Sequence, residues 1–481
     1  MGIYEPIRNY EDEKDNNGRN SRLDTNSNTE ITMRKSGLPN DEDEDVELAL
    51  QISQSRSPTT RTTTTATFVG NVANDGEGRE GKQQEQQRQR LVSLDVFRGL
   101  TVALMILVDH AGGILPAINH SPWNGLTLAD FVMPFFLFMV GLSLALAYKK
   151  LCCRVIATRK AILRALKLLV LGIFLQGGFV HGINDLTYGV DIEQIRWMGI
   201  LQRIAVAYLL AALCEIWIKG DDNVTSGVSL LKKYQYQWVV ALVLTSLYLA
   251  LLYGLYVPDW EYQIPNAPSS APKIFSVKCG VRADSGPACN AVGMVDRKIL
   301  GIQHLYRRPI YARTKQCSIN SPDYGPLPPD APSWCQAPFD PEGLLSSVMA
   351  IVTCLVGLHY GHIIVHFKEH GVRIVHWMII TSCLMIMGLA LDLFGMHINK
   401  ALYSLSYMCL TAGAAGILFT GIYLMVDVYG YRRPTIVMEW MGKHALMIYI
   451  LAACNIVPII LQGFYWRHPQ NNILKLIGIG T

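Results

Sequence analysis

Long apolar runs joined by short polar links fill residues 96 to 465, and polar residues inside those runs are few enough to name one by one. A run of about 18 or more apolar residues can cross a bilayer as a helix, because about 20 residues rising 1.5 Å each match its hydrocarbon core. Nine such runs are read at 97–115, 126–148, 162–181, 199–218, 238–257, 343–364, 374–394, 403–426 and 437–461. They predict an all-α, polytopic transmembrane helical bundle with the lipid bilayer as its solvent. Residues 1–90 show the opposite pattern, with too few aliphatic side chains to bury a core, and read as a disordered tail. The predicted plan is this tail, a membrane domain over 91–465 interrupted by one long link at 258–341, and a short C-terminal tail at 466–481.

Charge orients the bundle. Half of the 481 residues are apolar and 17% are charged, for a net charge of +4. The link after the second run holds Lys149, Lys150, Arg154, Arg159, Lys160, Arg164 and Lys167, and later even links hold Lys219, Lys232, Lys233, Arg432 and Arg433. The links 116–125 and 395–402 hold only Lys400. Basic short links stay in the cytosol, so the N-terminus is predicted to be cytosolic and 258–341 extracytosolic. No apolar core follows the first methionine, so no signal peptide is read there. Four cysteines fall in the long link, Cys279, Cys289, Cys317 and Cys335. Of the three possible disulfide pairings we take near neighbours, 279 with 289 and 317 with 335. In the tail, "DEDEDVELALQISQS" at 41–55 resembles a ubiquitin-interacting motif but has Arg56 where an acid is expected. No nucleic-acid partner is expected.

The chemistry concentrates in one short link, "NHSPWNGLTLAD" at 119–130. Pro122 and Asn124-Gly125 are turn formers, and Trp123 suits a membrane interface. A histidine at such a tip is ordinary, but its neighbours are not. Asp109 and His110 lie near the end of the first run and Asp130 near the start of the second, both carboxylates roughly 8–9 Å below the tip. A carboxylate inside a membrane faces a cavity or a partner and marks a functional site. Gln202, Arg203, Glu439, Lys443 and His444 add further polar groups to the runs. A neutral imidazole beside a carboxylate can act as nucleophile or base, the carboxylate holding its other N–H. The same groups could instead relay protons or bind an ion in a transporter. No metal site is expected, although His362 and His366 in "HYGHIIVHF" stand at i, i+4.

These residues resemble a family. "RLVSLDVFRGLTVALMILVDHAGG", "HSPWNGLTLADFVMPFFLFMVGLSLAL", "RWMGILQRIAVAYL", "CNAVGMVDRKILGIQHLY", "FDPEGLLSSVMAIVTCLVGLHYG" and "KALYSLSYMCLTAG", in this order over roughly 90–465, resemble the heparan-α-glucosaminide N-acetyltransferase family of transmembrane acyltransferases. The resemblance implies transfer of an acetyl group from cytosolic acetyl-CoA to the amine of a terminal glucosamine across a lysosomal, vacuolar or other membrane. It implies His120, the histidine of the motif that also holds Asn124, as the active-site residue, and matches Asp109 to a polar family position; Asp130 joins them as the catalytic candidates on its depth in the membrane. Asp109 is a carboxylate where the animal enzyme carries an amide. Arg159, Lys160, Arg164, Arg432 and Arg433 are candidates to meet the phosphates of CoA, and Arg196 and Lys400 to hold an acidic group of the amino-sugar or glycan acceptor. Asp95 and Arg98 read as a pair at i, i+3, and Asp340 and Glu342 as the N-terminal cap of the sixth span. Family members associate, so a homodimer is expected. The chain reads as a short form, ending at "NNILKLIGIGT" where relatives add a final span.

The readings that compete with an acetyltransferase are a small-molecule transporter and a catalytically silent membrane scaffold. The complete "HSPWNGLT" setting of His120 favours the enzyme. Topology is testable at once, because Asn223-Val-Thr225 is a glycosylation sequon in a link predicted to be cytosolic. Expressed in a secretory eukaryotic host, the chain should show no mobility shift at Asn223 on glycosidase treatment; a glycan there would reverse the orientation.

Overall fold

The computed structural model describes residues 91–112, 118–149, 153–180, 188–190, 195–220, 224–264 and 273–454. The tail with its acidic motif at 41–55, the sequon at Asn223 and the chain beyond 454 lie outside these residues. Twelve α-helices stand among them: α1 Val92–Ala111, α2 Val132–Ala147, α3 Arg154–Gly177, α4 Ile200–Trp217, α5 Gly227–Lys233, α6 Gln235–Gly254, α7 Ala291–Leu300, α8 Leu344–His366, α9 His370–Leu393, α10 Leu405–Tyr423, α11 Ile436–Lys443 and α12 Ala445–Ala453. Among the described residues six helical segments are long and apolar enough to cross a membrane: Leu128–Ala147, Ile200–Trp217, Gln235–Gly254, Leu344–His366, His370–Leu393 and Leu405–Val428. The pair Arg433–Lys443 and Ala445–Ala453 makes a seventh if counted as one span, bent by 67°.

This is fewer than the nine runs read from the sequence, for identifiable reasons. α1 carries Asp95, Arg98 and Asp109, and α3 carries Arg154, Arg159, Lys160, Arg164 and Lys167, so neither is apolar throughout. α3 also begins earlier than its apolar run and stops at Gly177, where the chain turns into the short antiparallel pair β1 Gly178–Val180 and β2 Tyr188–Val190. The last run breaks at His444, between α11 and α12.

α8 is the central helix, with 89% of its membrane window buried against 22% for α6 and for α9, which stand at the rim. Small residues allow this centre to form. A Cβ on Gly141 of α2 would overlap the Cys354 carbonyl of α8, and one on Gly357 of α8 would overlap the Phe138 carbonyl of α2. Gly361, one turn further on, lies against Ala145 and Leu142. Gly357-x-x-x-Gly361 therefore acts as a small-residue seam that brings two backbones together, where lipid offers no hydrophobic drive for association. α1 and α11 meet the same way, Gly99 against Met438 and Gly442 against the Asp95 carbonyl.

Contacts between helix ends sort the bundle into two faces. On one face, Ser93 N–H reaches Asp427, Tyr423 meets His370 and Arg373, Tyr234 meets His366, and Trp217 reaches Thr158. Asp95 and Arg98 form the expected pair there, at 3.2 Å. Also toward this face, Glu215 accepts from Gln237 and Lys219 and pairs with His362 at 2.8 Å, so that histidine serves a buried carboxylate. The other face carries the link 118–131 and the elaborated segment 256–343. There β3 Tyr256–Val257 pairs with β6 Val281–Arg282, and β4 Trp260–Ile264 with β5 Lys273–Val277, both antiparallel. Disulfides join Cys279 to Cys289 and Cys317 to Cys335, the near-neighbour pairing. Trp123 does not face lipid as its type suggested. It is buried under this segment, edge-on to Tyr311 and Phe339, with its indole N–H donated to the Ser285 carbonyl at 3.1 Å.

The cap of α8 also differs from the sequence reading. Gly343 is the N-cap, and the orphan N–H of Leu344 goes to Asp296 Oδ1 of α7 at 2.8 Å, not to Asp340 or Glu342. Asp296 is fully buried and its Oδ2 has no hydrogen-bond partner among the described residues. Burial raises its pKa to about 7, against the opposing pull of the Leu344 N–H. A carboxyl whose pKa is higher folded than unfolded contributes most stability below about pH 4 and loses it as pH rises through 7. Asp296→Asn keeps the acceptor for Leu344 and removes the ionisation. Its thermal midpoint in detergent should match the wild type near pH 4 and exceed it above pH 7; parallel curves across pH 4–8 would contradict this.

Candidate active site

The link between α1 and α2 folds on its own hydrogen bonds. Thr127 is the N-cap of a single 3₁₀ turn, Leu128–Phe131, that leads into α2, and Thr127 with Asp130 forms a capping box. Asp130 Oδ2 accepts the Thr127 N–H at 3.1 Å, the Thr127 hydroxyl at 2.9 Å and the Ser121 N–H at 3.2 Å. Its Oδ1 lies 2.9 Å from His120 Nδ1. The Asp130 side chain is fully buried, whereas 31% of the His120 side chain is exposed. The backbone carbonyl of Asp130 accepts the Tyr407 hydroxyl, which ties the turn to α10. His120 itself is steadied by Asn119, whose Oδ1 accepts the His120 N–H at 2.8 Å.

A second strand of chain locks onto this link. Gly125, at φ +110° where a side chain would be strained, gives its N–H to the Ile398 carbonyl at 2.9 Å. Asn124 and Asn399 form an isolated antiparallel bridge, and Asn399 Nδ2 donates to Asn124 Oδ1 at 3.0 Å. Asn399 is buried and its Oδ1 accepts the Leu402 N–H at 2.9 Å. Tyr403 then adopts φ +55°, rare for a non-glycine residue, to turn the chain into α10. Between them stands Lys400, with Nζ 2.8 Å from His120 Nδ1, 3.2 Å from His120 Nε2 and 3.5 Å from Asp130 Oδ1.

A third group comes from the segment before α8. Arg196 donates Nε to Asp340 Oδ2 at 2.7 Å and Nη2 to both Asp340 and Glu342, while its guanidinium lies 4.8 Å from the Tyr306 ring centre. Arg203, buried at the start of α4, donates to the Pro341 carbonyl and to Ser346 and Ser347. Burial works against the charge on Glu342, but Arg196, Arg203 and Lys400 outweigh it and hold that carboxyl below its ordinary range. Burial and the Lys400 ammonium push His120 below the ordinary imidazole value, against the pull of Asp130 and Glu342. The ring is therefore a neutral imidazole near pH 7.

Of the residues singled out from sequence, the structure brings together His120, Asn124, Asp130 and Lys400. Asp109 is exposed near the end of α1, and it is Asp130 that bonds the ring. Arg196 is committed to Asp340 and Glu342, so its guanidinium is not open to an acceptor anion in this arrangement. Arg159, Lys160, Arg432 and Arg433 are exposed and Arg164 half-buried, near the bundle face opposite His120. Among the described residues no group of three or more His, Cys, Asp or Glu is placed to hold a metal. Asn399, Tyr407, Glu342 as an electrostatic neighbour and Asp296 as a cap were missed. One signal was available: Thr-x-x-Asp at 127–130 is a capping-box pattern, which would have placed Asp130 at a helix start.

Residues 90–253 match the family model described as Heparan-alpha-glucosaminide N-acetyltransferase, catalytic. The chain is 28% identical over 382 residues to the Mus musculus protein named Heparan-alpha-glucosaminide N-acetyltransferase, covering 75% of this chain and 53% of that one. To the Homo sapiens protein of the same name it is 28% identical over 385 residues, covering 75% and 52%. The resemblance read from the motifs stands, and the chain spans about half the length of these curated relatives. The family-model match holds His120, Asn124 and Asp130, while Glu342, Asn399 and Lys400 lie beyond it.

The Asn124–Asn399 bridge can be tested directly. Asn399→Ala leaves the buried Leu402 N–H without its acceptor, at a cost of about 1–3 kcal/mol. The thermal midpoint should fall accordingly; an unchanged midpoint would mean that the bridge contributes nothing.

Proposed function

We propose that this chain, a relative of the heparan-alpha-glucosaminide N-acetyltransferases, is an acyl-CoA-dependent N-acetyltransferase that carries an acetyl group from cytosolic acetyl-CoA to a glucosamine-like acceptor on the other side of the bilayer. In this reading α1, α3 and the bent α11–α12 pair complete nine spans, the N-terminus is cytosolic, and His120 faces the lumen of a lysosome, vacuole or other compartment. The observation that carries it is the bond between His120 Nδ1 and the buried Asp130. A carboxylate accepts only, so Nδ1 keeps its hydrogen and the free lone pair is on Nε2.

That lone pair gives the link its chemistry. Nε2 bonds to the thioester carbon, the C–S bond breaks, and the thiolate departs with the electron pair. Asp130 holds the Nδ1–H and so stabilises the positive charge left on the acylated ring. The acceptor amine then attacks the acyl carbon, the bond to Nε2 breaks, and the amine gives up its proton through Nε2. Amide and thiol are the products. A neutral ring is required at the start, which the surroundings of His120 favour.

The basic residues Arg159, Lys160, Arg164, Arg432 and Arg433 support the donor side of this reading by lying away from His120. CoA carries several negative charges and cannot enter hydrocarbon, so its phosphates would stay at that face. The uncharged arm would run inward along the helices. Arg196 is assigned here to holding Asp340 and Glu342 rather than the acceptor.

Purified protein in detergent with radiolabelled acetyl-CoA tests this, wild type beside His120→Ala. Wild type should release CoA and carry an acid-labile label, both reduced at least about 100-fold in the variant. CoA release without a label would make His120 a base in direct transfer. No turnover from folded protein, with labelled donor and glucosamine present, would overturn the enzyme reading.

A further inference from the structure

Lys400 lies on the link between α9 and α10, in a position that suggested a clamp for an anionic acceptor. The structure gives its ammonium closer company. It stands between both ring nitrogens of His120 and the Asp130 carboxylate, and its side chain is 14% exposed. Its Nζ is nearer Nδ1, at 2.8 Å, which keeps its hydrogen for Asp130, than Nε2, at 3.2 Å, which carries the lone pair, so the ammonium lies against the ring face beside both nitrogens. The same lone pair is the one that would attack an acyl group. Lys400 therefore stands beside the reacting nitrogen, within reach of the oxygen of an acyl group that bonds to it.

We propose that Lys400 is a catalytic residue of the acetyl transfer, its ammonium held beside both ring nitrogens of His120 and donating to the carbonyl oxygen of the acyl group as Nε2 attacks. The proposal rests on the acetyltransferase reading and deepens it. As the C–N bond forms, the π pair of the carbonyl moves onto oxygen. Lys400 bonds to that oxygen without giving up a proton, and collapse of the intermediate expels the thiolate and returns the ammonium to the ring. A cation fixed where negative charge develops, in a place shielded from water, is the arrangement that stabilises such transition states.

Two features make the position a built one. The Asn124–Asn399 bridge and the Asn399–Leu402 bond fix the backbone on both sides of Lys400. The largest charges acting on the ring among the described residues are Lys400, Asp130 and Glu342, from three separate segments. Arg196 and Arg203 act on Glu342, Arg313 interacts with Asp130, and Asp323 accepts from Asn119 at 3.5 Å. Among the described residues Lys400 is the one cation that both touches the ring and disfavours its protonation.

A structural role, in which Lys400 only balances Asp130, predicts a different response, and two substitutions separate them. Full-length protein in detergent is treated with diethyl pyrocarbonate, which modifies neutral imidazole, and the rate at His120 is followed by peptide mass spectrometry across pH 5–9. Lys400→Met removes a positive charge, so the imidazolium becomes easier to form and the midpoint should move to higher pH; Lys400→Arg should leave it near the wild type. Steady-state CoA release from acetyl-CoA should fall about 100- to 1,000-fold in kcat for Lys400→Met, with KM changed far less. A midpoint that does not move, or a loss confined to KM, would overturn the proposal. If the wild type turns over no acetyl-CoA, the acetyltransferase reading fails and with it the catalytic step. The midpoint then still reports whether the ammonium sets the charge of His120.

Discussion

A carboxylate sealed from water must be given its hydrogen bonds by the protein, because burying it unpaired would cost several kcal/mol. Asp130 is such a group, and the architecture around His120 can be read as the answer to that constraint. Its donors come from the link that precedes it, at Ser121 and Thr127, and from the imidazole of His120. Meeting the demand of one side chain thus closes the link, starts α2 and selects a tautomer. The Tyr407 hydroxyl on the Asp130 carbonyl then ties this local solution to a helix 277 residues away in sequence.

Around this centre, long-range polar pairs do what apolar packing cannot do inside a bilayer. They choose which segments meet and in what register. Arg196 with Asp340 and Glu342, Arg203 with Ser346 and Ser347, and Asn124 with Asn399 each join segments more than a hundred residues apart. All of them lie at the start of α8, α4 or α10 or in the links just outside. The polar layer is therefore a plate across one face of the bundle, with His120 at an opening in it. The opposite face has its own buried carboxylate, Glu215, and its own polar ties, among them Ser93 to Asp427 and Tyr234 to His366.

The helical membrane class and the order of the main spans were legible from residue pattern, because apolar length is set by bilayer thickness, and the polar tip at His120 between two such runs was conspicuous. The limits were physical too. α1 and α3 read as spans on their apolar content, but hydropathy averages conceal charges spaced along a helix. Asp109 and Asp130 looked equivalent by depth, yet depth says nothing about direction. One carboxylate is sealed under a turn and the other lies exposed. Trp123 was assigned to an interface by type, while its place is decided by Tyr311 and Phe339, whose distance in sequence hides the contact. Lys400 could be flagged as the lone charge of its link, but only the bridge between Asn124 and Asn399 brings it to His120.

The glycine seams limit how this molecule can move. Where Gly141 and Gly357 press two backbones together, no layer of side chains remains to act as a bearing, and a sideways roll of α2 against α8 would drive peptide into peptide. The seam of Gly99 and Gly442 fixes α1 to α11 in the same way. A rocking motion that opens one face while closing the other, with these contacts as its pivot surfaces, is therefore blocked at the centre. Freedom to move is left chiefly to α6 at the rim, because Gly388 of α9 is itself pressed against the Ser406 and Leu410 backbone of α10.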